Sequence, residues 1–270
     1  MKSLTQILGL AVALLFAWPA WAQDAGLITI APPPLPLYAQ PTVPGDGYIW
    51  TPGYWAWNAV NDDYHWVPGT WVLAPEFGQL WTPGYWVFNG NGYLWSAGYW
   101  DTQVGYYGGL NYGYGYSGIG YRGGRWEGEH FRYNAAVSHV NPTITQGTYS
   151  RPIPAAAPTT HSSFRSLRSG QATPNSTAPV SLQSATVLRN LPTLAQQEHE
   201  HAALANTTQR AWVPHGPPQI AATVKPSAFA APGVEHFRPA PVGHMSRAPA
   251  QHASPNAHAA PKNEWKEPPR

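Results

Sequence analysis

A six-residue pattern, Trp-x-x-Gly-x-Trp, occurs four times in this chain between Trp50 and Trp100. The copies are Trp50–Trp55, Trp66–Trp71, Trp81–Trp86 and Trp95–Trp100. Their first tryptophans are 16, 15 and 14 residues apart. Such regular spacing of a rare residue indicates one small supersecondary unit stacked on copies of itself, because a single unit cannot bury its apolar face alone. The repeat therefore constrains the architecture far more than the function.

The residues between the two tryptophans of a copy predict a turn. Proline followed by glycine suits the central positions of a type II turn, since proline presets φ and glycine accepts a positive φ. We therefore predict one hairpin per copy, with Trp50 opposite Trp55 and Tyr48 opposite Trp57. The predicted turn residues are Pro52, Gly53, Pro68, Gly69, Pro83, Gly84 and, in the copy that has Ala97 in place of proline, Gly98.

Side-chain alternation along strands would bring the aromatic residues of all four copies to one face. The residues of this predicted face are Tyr48, Trp50, Trp55, Trp57, Tyr64, Trp66, Trp71, Trp81, Trp86, Tyr93, Trp95 and Trp100. Return turns are predicted at residues 58–63, 73–79 and 89–92. The predicted fold class is mainly β, a short-stranded antiparallel hairpin-repeat meander of about eight strands with long disordered flanks.

Several segments resemble a known family. Beside the four repeats, these are Pro32–Pro36, the glycine- and tyrosine-rich run Val104–Tyr116, Gly123–Trp126 and Phe131–Asn134. Together they resemble the WXXGXW (YXWGXW) repeat family of exported Gram-negative bacterial proteins. The resemblance implies an exported compartment and a repeat architecture, and it implies no assigned chemistry.

The first 22 residues are typical of a secretory signal peptide. Lys2 supplies a positive start, Ile7–Trp18 is an apolar run too short to cross a bilayer, and Ala20-Trp21-Ala22 is a small-x-small cleavage site. The mature chain is therefore expected to begin at Gln23; the alternative is an uncleaved anchor. No later segment has the length and hydropathy of a transmembrane helix.

Composition divides the remainder into four parts. They are a proline-rich leader (23–47), the repeat block (48–102), a glycine- and tyrosine-rich β extension (103–149) and a basic tail (150–270) rich in proline, alanine, serine and histidine. The extension is expected to contain a strand with Tyr112, Tyr114 and Tyr116 on one face, then a degenerate fifth hairpin at Trp126–Phe131. The tail cannot bury enough apolar surface to offset chain entropy, so disorder is expected, apart from a short helix at 194–206 that begins with a capping box.

Charge is unevenly distributed along the chain. Residues 23–121 contain six acidic side chains and no lysine or arginine, whereas the basic side chains are scattered after Tyr121. The tail could therefore attract anionic partners or the protein's own front half, or its arginines could simply keep it soluble. Cysteine is absent, so stability must come from packing and backbone pairing without disulfides.

No pattern in the sequence indicates a catalytic site, a metal site or a cofactor. His199 and His201 in Glu198–His201 would point about 200° apart on a helix, where ligands need i, i+3 or i+4 spacing, which favours a solvated polar helix. Asp62-Asp63 suits a turn, and Glu127 with Glu129 could act as a carboxylate pair or simply pair with nearby arginines. The chain has no cysteine nucleophile, serine elbow or phosphate loop. Aromatic and basic residues lie in different halves, which argues against nucleic-acid binding.

The aromatic residues are left as the functional candidates. They could form the core of a domain poor in leucine and isoleucine, exposed platforms for sugar rings, or contacts to a lipid interface. We expect an exported, non-enzymatic cell-envelope protein with a structural or interaction role, located in the periplasm or associated with the outer membrane. Its expected partners are envelope components, either polysaccharide or another envelope protein, with peripheral membrane contact at most. The alternatives are a polysaccharide-binding module and, third, an outer-membrane assembly factor.

Overall fold

Short antiparallel strands make up most of the secondary structure, as the sequence predicts. The computed structural model describes residues 27–143, 145, 147–153, 162–167, 190–211 and 218–237. The described residues belong to one unit that ends at Phe237. The predicted signal peptide and much of the tail lie outside the described residues.

The first two copies of the repeat form one long hairpin. Its strands are β1 (Tyr48–Thr51), β2 (Tyr54–Asn58), β3 (Asp63–Val67) and β4 (Gly69–Leu73). β1 pairs with β4 and β2 pairs with β3, in one unbroken register that runs from Tyr48 opposite Leu73 to Asn58 opposite Asp63. The predicted turn at 58–63 closes this hairpin, and Pro52-Gly53 lies opposite Pro68-Gly69 in its middle.

The third and fourth copies repeat this arrangement. The strands are β5 (Leu80–Thr82), β6 (Tyr85–Phe88), β7 (Tyr93–Ser96) and β8 (Tyr99–Asp101). β5 pairs with β8 and β6 with β7, again in one register, and residues 89–92 form the predicted closing turn. Residues 73–79 connect the two hairpins. The eight strands are therefore present, but they form two hairpins of two copies each rather than four hairpins of one copy each.

The prediction that the Pro-Gly steps are hairpin corners is wrong. Trp50 lies opposite Trp71 rather than Trp55, and Trp55 lies opposite Trp66. The strands continue through each step, which only interrupts the hydrogen-bonded ladder. The predicted turn residues Pro52, Gly53, Pro68, Gly69, Pro83, Gly84 and Gly98 are thus mid-hairpin kinks, and none of the four glycines has a positive φ. Proline cannot donate to a ladder, and in the first hairpin the second proline on the facing strand places both missing donors at one break. In the second hairpin Pro83 alone removes a donor, and Ala97 stands where the other copies have proline.

Close packing explains the glycine of the repeat. A Cβ atom added to Gly53 would lie 2.3 Å from Cζ2 of Trp66, and one added to Gly69 would lie 2.6 Å from Cζ2 of Trp50. The second hairpin repeats this, with 2.5 Å between Gly84 and Trp95 and 2.4 Å between Gly98 and Trp81. In every copy, the glycine therefore provides the floor on which the first tryptophan of the facing copy lies.

The glycine- and tyrosine-rich extension is folded more tightly than predicted. β9 (Asn111–Gly113) and β10 (Tyr116–Ser117) form a small hairpin whose turn at Tyr114-Gly115 has positive φ angles. The expected continuous strand with one tyrosine face and one bare face is therefore wrong. Instead, Tyr112 and Tyr116 are buried, and their hydroxyls donate to backbone oxygens of Gly84 and of Trp50 and Trp81, respectively.

The degenerate fifth unit forms the predicted additional hairpin. β11 (Gly124–Glu127) pairs with β12 (His130–Asn134), with Trp126 opposite Phe131 and a turn at Gly128, where φ is +62°. β13 (Thr148–Tyr149) adds to β12 in parallel. Unlike the Pro-Gly steps, this glycine does occupy a hairpin corner.

The proline-rich leader packs against the repeats. Residues 31–44 contain no helix or strand, and Ile28 forms an antiparallel bridge with Tyr93 of β7. Leader carbonyls accept hydrogen bonds from side chains of the first hairpin: Pro34 from Trp55 and Pro41 from Trp71. An extended proline-rich segment keeps its carbonyls outside any ladder, which leaves them available as acceptors.

Parts of the tail are ordered, which corrects the expectation of disorder for these residues. β14 (Phe164–Ser166) pairs in parallel with β6, while β15 (Ile220–Thr223) pairs in parallel with β4 and antiparallel with β16 (Glu235–His236). The predicted helix is present as α1 (Leu194–Ala205), with the capping box between Thr193 and Gln196, and a single 3₁₀ turn follows at Thr207–Gln209. These segments cover hairpin edges that would otherwise expose unpaired backbone groups.

We predict that Gly53→Ala destabilises the protein by about 1–3 kcal/mol, because the added methyl group overpacks the contact with Trp66. The free energy of unfolding in urea measures this. The matched control is Gly45→Ala, where the added Cβ meets Tyr48 at an ordinary 3.6 Å; we expect a change within about 0.5 kcal/mol there. Equal stability of the two variants would contradict the packing role of the glycine.

Candidate functional site

The aromatic residues predicted to share one face mostly form the core. The buried ones are Trp50, Trp55, Tyr64, Trp66, Trp71, Trp81, Trp86 and Trp100, whereas Tyr48, Trp57, Tyr93 and Trp95 stay partly exposed. All twelve belong to one hydrophobic cluster or pack against it. The sequence left open whether these side chains form the core or exposed platforms. Eight of the twelve belong to the core.

Cross-strand tryptophan pairs recur with nearly constant geometry. The ring centroids are 5.2 Å apart for Trp50–Trp71 and Trp55–Trp66, and 5.3 and 5.2 Å apart for the equivalent pairs Trp81–Trp100 and Trp86–Trp95. Interplanar angles of 52–67° make these tilted or edge-to-face contacts, which stabilise by about 0.5–1.5 kcal/mol beyond the buried area.

Backbone oxygens from outside the facing strand satisfy several indole N–H groups. Trp66 donates to Ala221 of β15, Trp86 to Trp55 of the other hairpin, and Trp126 to Gln79. Trp100 donates to Oε1 of Gln196 on α1 at 2.8 Å. The indoles therefore fasten leader, tail and second hairpin to one core, and these ring edges are not available to a ligand.

Basic tail residues contact tyrosines of the repeat half. The guanidinium of Arg165 lies 5.3 Å from the ring centroid of Tyr106, and the ammonium of Lys225 lies 5.7 Å from that of Tyr48. Cation–π contacts at exposed sites stabilise by about 0.5–1 kcal/mol. These two basic residues of the tail therefore contact the protein's own front half, which is one of the alternatives that the uneven charge distribution suggests.

The carboxylates singled out in the sequence have structural partners. Glu127 forms ion pairs with Arg125 at 2.6 Å and Arg132 at 3.0 Å, and the hydrogen bond from Arg125 holds the pKa of Glu127 below its ordinary value. Asp62 is exposed in the closing turn of the first hairpin with φ of +48°. Among the described residues, no group of three or more histidine or acidic side chains is arranged to hold a metal ion.

Helix α1 is docked on the first hairpin, which corrects its interpretation as a solvated polar helix. His199 is only 3% exposed, and its ring stacks on Phe229 with centroids 5.1 Å apart. Its Nε2 lies 2.9 Å from the oxygen of Pro68, and its Nδ1 accepts a hydrogen bond from the backbone N–H of Ser227. These partners specify the neutral tautomer with the proton on Nε2, and burial lowers the pKa of His199 to about 4.

Glu200 lies one residue further along the helix, half-buried against the first hairpin. The hydroxyl of Tyr54 donates to its Oε2 at 2.9 Å. Burial raises the pKa of Glu200 above its ordinary value, an effect reduced by the Tyr54 hydrogen bond and by His201. Burial also raises the pKa of Tyr54, and the charge of Glu200 adds to that shift, so the phenol stays protonated and acts as a donor.

A cavity of about 80 Å³ lies where the kinks of both hairpins meet α1. We call it the kink cavity. Its walls include Tyr54 and Trp95, whose rings stack with centroids 5.0 Å apart, together with Trp81, Tyr112 and, from the helix, His199 and Glu200. The interrupted ladder at the Pro-Gly steps creates this space. A second cavity of about 180 Å³ lies beside Tyr38 and Trp66 and is lined by apolar and aromatic groups and Asn111.

Sequence reasoning missed the kink cavity and the roles of His199 and Glu200. Their position depends on the pairing of copies, which was predicted incorrectly, and on a helix packed against residues more than a hundred positions earlier in the chain. The alternating acidic and basic residues 198–201 are the one local signal, and their spacing favours a solvated polar helix over a metal site, which does not predict that the helix docks on the hairpin.

In each long hairpin, tryptophans pair across the strands and pack on the glycines of the facing copy. These features define a tryptophan-rich β-hairpin repeat protein. The family model described as the WXXGXW repeat matches the chain twice, over residues 45–72 and 77–101. Each match spans one long hairpin, so this part of the chain has the repeat that the WXXGXW family model describes. No curated protein matches the chain. No solved structure matches it either.

Across the described ranges, no helix has both the length and the apolar character that a membrane span requires.

We predict that acidification weakens the protein partly through His199. Its folded-state pKa of about 4 lies below the ordinary value of 6.5, so stability is fully present above pH 6.5 and is lost as the pH falls towards 4. The shift corresponds to about 3 kcal/mol at most. We therefore measure the free energy of unfolding at pH 7.5 and at pH 4. Its decrease between these two pH values should be smaller for His199→Gln than for the unaltered protein.

Ala195→Ser is the control for this experiment, because Ala195 is exposed on the same helix and the change adds or removes no titratable group. Its loss of stability on acidification should equal that of the unaltered protein. Glu200 acts in the opposite direction, since its pKa is raised, and it is present in all three proteins. An identical pH dependence in His199→Gln and the unaltered protein would contradict the burial of a neutral imidazole.

Proposed function

We propose that this chain is an exported, non-enzymatic cell-envelope protein with a structural or interaction role. The burial of the repeat aromatics is the observation that carries the proposal. Seven of the nine tryptophans between Trp50 and Trp100 are buried, and their pairing builds a rigid scaffold from strands of three to five residues. A catalytic role would require a group of reactive side chains around a substrate. Glu127, a member of the candidate carboxylate pair, instead forms ion pairs with two arginines.

Export is proposed from the leading sequence and the family resemblance. The Lys2 start, the apolar run to Trp18 and the Ala20-Trp21-Ala22 site fit a cleaved signal peptide. A scaffold without cysteine suits an oxidising compartment, because it has no thiols to mispair there. Envelope polysaccharide or another envelope protein is the proposed partner, reached through parts of the surface other than the buried repeat rings.

Fractionation of a Gram-negative host that expresses the full chain tests the compartment. We expect a mature chain that begins at Gln23, identified by its mass, in the periplasmic or outer-membrane fraction. Ala22→Arg should block processing, because the position before the cleavage site requires a small side chain, whereas Ala25→Ser should be processed normally. An unprocessed chain found in the cytosol would overturn the proposal of export.

Polysaccharide binding is the second candidate function, because some repeat aromatics keep exposed ring surface. Trp57 and Tyr93 are partly exposed, and Tyr106 is 43% exposed. Flat aromatic faces suit the apolar faces of sugar rings. This candidate needs only the outer rings and is compatible with a buried core.

Titration of tryptophan fluorescence with cell-wall and capsular glycans distinguishes the two functions. The structural role predicts emission that is already blue-shifted in the free protein and does not change with glycan. The binding role predicts saturable quenching, and Trp57→Ala should lower the affinity for the glycan at least about tenfold, equivalent to 1.4 kcal/mol. Val60→Ala, a change in the exposed turn, should leave the affinity unchanged. Quenching unaffected by Trp57→Ala would contradict a platform at this ring.

A further inference from the structure

The kink cavity combines aromatic walls with a carboxylate. Tyr54 and Trp95 stack on one another with an interplanar angle of 20° and form part of its wall beside Trp81. Glu200 lies at the hydroxyl end of Tyr54, held by the 2.9 Å hydrogen bond to its Oε2. The carboxylate is thus fixed in position at the edge of a tryptophan- and tyrosine-lined space.

Among the described residues, Glu200 has no permanently charged basic side chain as its partner. Within the described part of the chain, no lysine or arginine forms an ion pair with it, and its neighbours there are the Tyr54 hydroxyl and the side chain of His201. Removing a carboxylate from water costs free energy unless it is paired. One neutral hydroxyl and the exposed imidazole of His201 offset only part of that cost, so the arrangement favours an added positive charge.

The walls suit a positive charge for a second reason. The face of an aromatic ring carries partial negative charge, and it attracts an ammonium group that lies within about 6 Å of a tryptophan or tyrosine centroid, most strongly when both are desolvated. Anions are disfavoured here by both the carboxylate and the rings. A neutral apolar group would gain contact with the rings but would leave Glu200 without a counter-charge.

We propose that the kink cavity binds an alkylammonium group, with Glu200 as its counter-ion and the Tyr54–Trp95 stack as its aromatic wall. The space of about 80 Å³ is several times the ~10–15 Å³ that one water needs, so it admits one ammonium head carrying small substituents. A whole sugar ring or a peptide would remain outside, with only its ammonium group inserted. The site is independent of the compartment and of the glycan candidate.

Titration of the full-length protein with tetramethylammonium and ethylammonium chlorides tests the site. Trp95 and Trp81 line the cavity, so we expect a saturable change in tryptophan fluorescence, and calorimetry should give the same dissociation constant. Glu200→Gln keeps an acceptor for the Tyr54 hydroxyl but removes the charge, and it should weaken binding at least about tenfold. Glu198→Gln, an exposed neighbour on the same helix, should bind as the unaltered protein does.

Two further measurements separate charge from shape and identify the source of the group. tert-Butanol, a neutral ligand of similar size, should bind at least about tenfold more weakly than tetramethylammonium. Glucosamine and Nα-acetyl-lysine amide then present the same ammonium on a sugar and on a peptide-like chain; binding by either supports the site and names the source.

Three outcomes would overturn the proposal: no saturable signal with any ammonium probe, equal affinity for tert-butanol, or unchanged affinity in Glu200→Gln. Far-UV circular dichroism of each variant confirms that it is folded. Should Glu200→Gln unfold, Tyr54→Phe replaces it; this variant keeps the ring stack and loses the hydroxyl that positions the carboxylate, and it should also weaken binding. None of these outcomes alters the test for export.

Discussion

The contact between an indole ring and a facing glycine is the interaction on which this fold depends. Each hairpin contains it twice, reciprocally: Trp66 lies on Gly53 while Trp50 lies on Gly69. Any larger residue would lift the ring and separate the strands, since close-packed interiors have no room for an added methyl group. The six-residue pattern therefore supplies one glycine and one tryptophan of a reciprocal contact, and it packs in this way only when a second copy faces it. This is why the family model spans a pair of copies in each match.

A core made of indoles has a further requirement, which is acceptors for buried N–H groups. Segments other than the facing strand supply these acceptors: Pro34 and Pro41 of the leader, Ala221 of β15 and Gln196 of α1. An unmade hydrogen bond at a buried donor costs about 1–3 kcal/mol. The described residues of the leader and of the tail are thus part of the folded unit, even though their composition alone is that of a disordered chain.

Local signals in the sequence predicted local structure well. The capping box at Thr193, the turns at 58–63 and 89–92 and the fifth hairpin at Trp126–Phe131 all depend on a few adjacent residues, and all are present. The pairing of copies was predicted wrongly because Pro-Gly is a strong turn signal by itself, whereas here its conformation is set by the step that faces it across the hairpin, Pro68-Gly69 in the first hairpin and Ala97-Gly98 in the second. Nothing near His199 in the sequence indicates that its ring bonds to Pro68, since that contact spans 131 positions. Non-local contacts therefore determine both the strand pairing of the copies and the position of the candidate site.

The residues that define the repeat and the residues available for recognition are largely different. The first and second tryptophans of a copy are mostly used to hold hairpins together, with Trp95 as the partly exposed member that also lines the kink cavity. The charged groups near that cavity come from α1, outside both matches to the family model. A shared scaffold with site residues supplied by the flanks is how one fold can serve several functions. Resemblance over the repeats alone therefore identifies the scaffold of this chain rather than a ligand.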